Sequence, residues 1–80
     1  MTNAPETATA QGSHHYLITL QRPLNGGFSI STWSGECTPP EGAHRSGFYL
    51  WLREDIARAH PEFADASVLF FDIQPNRLWP

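Results

Sequence analysis

Arg22-Pro23-Leu24-Asn25-Gly26-Gly27 reverses the chain: its proline donates nothing to a β-ladder, and its Asn-Gly pair is suited to positive φ. On either side lie alternating runs. His15 to Gln21, HYLITLQ, places Tyr16, Ile18 and Leu20 on one face, and Phe28 to Trp33, FSISTW, follows at once. The two runs form a β-hairpin, and the rest of the fold must be built on it.

Ser34-Gly35-Glu36-Cys37 is expected to leave the sheet. Thr38-Pro39-Pro40-Glu41 then matches a capping box with proline in the first turn, so a helix can open there. Gly42 and Gly47 weaken that start, which leaves its position open between Thr38 and Ser46 and sets the robust helix at about Ala43 to His60, ended by Pro61. Phe48, Tyr49, Leu52, Ile56 and Ala59 fall on one stripe at helical spacing, the expected core face. Glu54 and Arg58 are spaced to pair outside it.

Phe63, in the connection, is placed to tuck under the helix end, and Ser67 to Gln74, SVLFFDIQ, forms a third strand stopped by Pro75. The order β-β-α-β with a right-handed crossover predicts an α+β fold. Its three-stranded antiparallel sheet has order 2-1-3, with one helix on one face.

Only one domain fits in 80 residues. Met1 to His14 is poor in large apolar side chains and is read as a disordered leader, residues 15–76 as the domain and 77–80 as a C-terminal tail. A core of this size rarely supplies more than roughly 3–5 kcal/mol. Cys37 is the lone cysteine, so no internal disulfide helps, and good packing, a ligand or association must.

A single helix covers one face of three strands. With Tyr16, Ile18, Leu20, Phe28, Ile30, Leu69, Phe71 and Ile73 assigned to the helix, strict alternation turns Leu17, Trp33, Val68 and Phe70 outward. Such a half-apolar face marks self-association or a protein partner. The competing reading folds the leader or the tail over it, with Trp79 as the plug. On the helix, Leu50 points away from the core stripe. Trp51 lies at its border, where tryptophan either laps the sheet edge or serves a contact. The candidate partner-binding residues are therefore Leu17, Trp33, Phe70 and Trp51.

No catalytic site emerges. Cys37 with His44, and Glu36 or Glu41 as a third member, makes a triad on paper only, without a surrounding nucleophile motif. His14, His15, Cys37, His44 and His60 lack paired metal-ligand spacing, so no metal or cofactor is expected, and His60 suits the helix C-terminus. Asp72, if covered by a partner, would need an arginine.

The net charge is −3 and all five basic residues are scattered arginines, which argues against nucleic-acid binding. No long apolar run or secretory signal is present, so a cytoplasmic protein without membrane contact is expected.

The Ala-containing leader, the lack of lysine, and the segments WSGECTPPEGAHRSGFYLWLREDI and SVLFFDIQPN together resemble small uncharacterised actinobacterial proteins, among them plasmid- or phage-encoded accessory proteins. The likeness covers about Tyr16 to Asn76 and carries no catalytic motif. The leading expectation is a non-catalytic protein-interaction domain, homodimeric through the open sheet face. The alternatives are a small Cys37/His44 hydrolase or transferase, and a weak single-stranded nucleic-acid binder using Trp33 and Phe70.

Overall fold

A computed structural model describes residues 12–79. Residues 1–11 of the leader read as Met1 to His14 lie outside the described residues, whereas its last three residues belong to the domain: Gly12 and Ser13 are hydrogen-bonded into it and His14 opens the first strand. Strand β1 spans His14–Leu24, β2 Gly27–Cys37 and β3 Ser67–Pro75; helix α1 spans Arg45–Ala59, followed by a 3-10 turn at Pro61–Phe63. The sheet order is β2-β1-β3 and both pairings are antiparallel, the α+β architecture expected from the sequence.

The hairpin is tighter and longer than its alternation suggests. Leu24 pairs with Gly27, so the loop is Asn25-Gly26 alone, and Gly26 takes the left-handed φ of 78° that such a turn requires. Ser34 to Cys37 stay in the sheet, paired with Leu17 back to His14, because their backbone groups find ladder partners on β1. Gly35 accommodates Tyr16 there: a Cβ at that position would lie 2.8 Å from the tyrosine hydroxyl oxygen.

The helix starts later than the capping-box pattern suggests. Ala43 N–H donates to the Pro40 carbonyl in a turn whose third residue, Gly42, has φ 86°, so residues 38–44 form a separate loop. His44 is the N-cap, in extended conformation and without a side-chain cap. Leu52 and Ile56 are buried, while Phe48 and Tyr49 pack at the edge of the core. Ala59, expected inside, is exposed; beyond the helix end it is Phe63 that enters the core. Arg58 pairs at 2.9 Å with Asp55 and not with Glu54, the i,i+3 neighbour being as close on a helix as the i,i+4 one.

Ile18, Leu20, Leu52, Ile56, Phe63 and Ala66 form the buried core. Aromatic rings frame it: Tyr49 meets Phe71 edge-on at 5.2 Å, and Tyr16 lies 5.7 Å from Phe48. Arg53 fastens the connection to β3, donating to the Tyr49 hydroxyl at 3.0 Å and to the Ala66 carbonyl at 2.9 Å.

Two assignments of side-chain direction are overturned. Ile18 pairs with Trp33, so Trp33 shares the helix face, while Phe28 and Ile30 face away from the helix. On β3 the register slips between Thr19 and Leu20: Thr19 faces Phe70 but Leu20 faces Val68, leaving Leu69 as the extra residue of a bulge. Val68 thereby turns to the core and Leu69 is left exposed, the reverse of strict alternation. Phe71 packs against the core as expected.

Candidate functional site

The described residues offer two uncovered apolar surfaces. The first is the sheet face opposite α1. Cross-strand pairing assembles it from Leu17, Thr19 and Gln21 of β1, Phe28, Ile30, Thr32 and Ser34 of β2, and Phe70 and Asp72 of β3. Phe28 is 64% exposed, Ile30 57% and Phe70 51%, while Leu17 is half-buried between Ser34 and Asp72. Thr19 and Thr32 share a 2.8 Å hydroxyl hydrogen bond across its middle. Leu78 and Trp79 are both exposed, so Trp79 does not plug this face.

Asp72, at the β3 edge of that face, is bound within the chain. Arg45 donates to its Oδ1 at 3.2 Å and to the Phe71 carbonyl at 3.2 Å, and Gln74 donates to the same Oδ1 at 3.0 Å. The Gln74 and Arg45 hydrogen bonds hold this carboxyl below its ordinary value. The arginine expected for Asp72 is thus supplied by the N-terminal turn of α1 in the same chain.

The second surface is a cleft of about 410 Å³ where the end of β2, loop 38–44 and α1 meet. Cys37, Pro39, Pro40, His44, Phe48 and Trp51 line it. Trp51 is half exposed and its ring lies 5.7 Å from Phe48, so this residue belongs to the cleft and not to the sheet face. A neighbouring cleft of about 430 Å³ lies along the same loop and adds His14, Glu41 and Pro75.

Of the four partner-binding candidates, Leu17 and Phe70 share the open face, Trp51 lines the cleft, and Trp33 lies against Phe63 and His60 on the helix side. Phe28 and Ile30, which alternation alone places in the core, complete the open face. The signal for them was present. A two-residue Asn25-Gly26 loop pairs Leu24 with Gly27, and counting back along the hairpin pairs Ile18 with Trp33.

Cys37 and His44 line the same cleft, and no hydrogen bond between them is found among the described residues. Burial pushes the Cys37 thiol above its ordinary value, the opposite of what an activated nucleophile needs. Burial likewise raises Tyr16, helped by the nearby Cys37 and Asp55. Among the described residues no three His, Cys, Asp or Glu side chains gather as a metal site requires, and no helix is long and apolar enough to cross a membrane.

Three of the arginines lie over aromatic rings, and Arg45 also reaches Asp72 at the edge of the open face. Arg22 lies over Phe63, Arg45 over Phe71 and Arg53 over Tyr49, each spent on a ring of the core side. No protein-family model matches this chain, and no curated protein or solved structure is significantly similar to it.

Proposed function

We propose that this chain is a small non-catalytic protein-interaction domain that self-associates through the open face of its sheet. The observation that carries the reading is the exposure of Phe28, Ile30 and Phe70 on one face that no described layer covers. A single three-stranded layer with one helix leaves half of the sheet wet, and large rings there are stabilised by leaving water.

The size of the face suits a second copy. Strands about 4.8 Å apart and rising about 3.3 Å per residue give three strands of up to 11 residues a face of roughly 500 Å². Two such faces bury roughly 1,000 Å², the lower bound for a specific interface. The centre of the face is neutral, and the Thr19–Thr32 pair satisfies its own hydroxyls, so stacking leaves no uncompensated charge in the middle.

The test is the solution mass across a concentration series, for the native chain and for Ile30→Thr. A dimer is expected, weakened about tenfold by the substitution. A compact monomer at every concentration sinks the reading.

A further inference from the structure

We infer that the cleft between Cys37 and Trp51 receives the Leu78–Trp79 segment of a second copy, exchanged reciprocally between two chains. This contact uses residues distinct from those of the open sheet face and stands or falls separately.

Leu78 is 89% exposed and Trp79 80%, the two most exposed large apolar side chains of the described residues. Neither lines the cleft of its own chain. An exposed tryptophan is costly to leave in water and is a typical anchor of an interface when covered, and Leu78 beside it in the chain adds apolar area.

The cleft has the matching chemistry. Its volume of about 410 Å³ lies in the range of sites that enclose small organic groups. The Phe48 and Trp51 rings and the flat Pro39 and Pro40 present apolar surface to an indole. Gly47 adds open space on the helix side, since a Cβ there meets nothing within 4 Å. Charge agrees as well: Arg77 directly precedes Leu78, and the exposed Glu41 lies on the loop that borders the cleft.

Placement allows reciprocal exchange. His14 pairs with Cys37 on one side and Pro75 on the other, so the cleft and the start of the exposed segment share one end of the sheet. Asn76 is pinned at that end, its N–H donating to the Ser13 carbonyl at 2.8 Å and its side chain to the Gly12 carbonyl at 3.1 Å. Two chains meeting end to end about a twofold axis can then fill both clefts at once.

The experiment mixes isotope-labelled and unlabelled full chains and records isotope-filtered NOEs. Cross-peaks are expected between Trp79 indole protons of one chain and Phe48, Trp51 and Pro39 protons of the other. Gly47→Leu, which fills the cleft while improving helix propensity, is expected to remove them and to weaken this contact at least about tenfold, as is Trp79→Ala. Ile30→Thr is expected to leave them in place, which separates this contact from the sheet face. Cross-peaks within one chain only, no cross-peaks to the cleft, or cross-peaks that survive Gly47→Leu would each overturn the inference.

Discussion

Trp33 sets its indole edge-on against Phe63, with ring centroids 5.1 Å apart and planes at 83°. This contact ties the edge strand β2 to the 3-10 turn after the helix, and His60 closes over the same indole at 5.7 Å. It therefore holds the far end of α1 on the sheet. Truncating a fully buried aromatic costs roughly 3–5 kcal/mol, so Trp33→Ala, at a half-buried position, is expected to cost about 2–3 kcal/mol. Urea denaturation measures it; a loss below about 0.5 kcal/mol would show that Trp33 bears no part of the fold.

The association proposed through the sheet face would be apolar, and its strength is expected to respond little to salt. Raising the salt from about 0.05 to 0.5 M shortens the screening length severalfold and weakens contacts between exposed charges. Sedimentation at both salts is expected to give dissociation constants within about threefold. A steep loss of affinity with salt would instead point to an electrostatic partner.

The Asp72 carboxyl is held below its ordinary value by Gln74 and Arg45, so its contribution has a definite sign. It is complete above about pH 5, where the unfolded carboxyl is ionised, and it is lost as pH falls through the lowered folded-state value. The stability gap between the native chain and Asp72→Asn should stay constant from about pH 5 to 8 and close towards about pH 2. A gap that persists in strong acid would assign the effect to packing of the side chain.

Burial raises the Cys37 thiol, which keeps it protonated near neutrality. Alkylation by iodoacetamide at about pH 8 is expected to run slower than for a small free thiol. Cys37→Ser should leave association through the sheet face unchanged, since Cys37 lies outside that face. Fast alkylation would reveal an activated thiolate and favour a Cys37/His44 chemistry in the cleft.

Gly26 has φ 78° in a two-residue loop, where a Cβ is strained even though the space around it is open. Gly26→Ala is expected to destabilise by about 1–2 kcal/mol, and Gly27→Ala, whose φ is not positive, by less. Equal losses at the two positions would contradict the turn geometry.

The sequence by itself determined the hairpin, the β-β-α-β order and the helix stripe through Leu52 and Ile56, because a turn dipeptide and a period of 2 or 3.6 are local physical properties. It also held the direction of Trp33, through the register that a two-residue turn imposes. Alternation within FSISTW obscured it by placing large side chains on both faces. The reversal of Val68 and Leu69 belongs to the tertiary structure. Strand β3 takes in an extra residue, Leu69, between its partners for Thr19 and Leu20, because it stays paired with β1 before and after that step. The cleft was equally beyond the sequence, since Cys37 and Trp51 are brought together by the return of α1 across the end of β2. Local spacing governs which elements form; which side chains meet is decided by the packing of elements far apart in the chain.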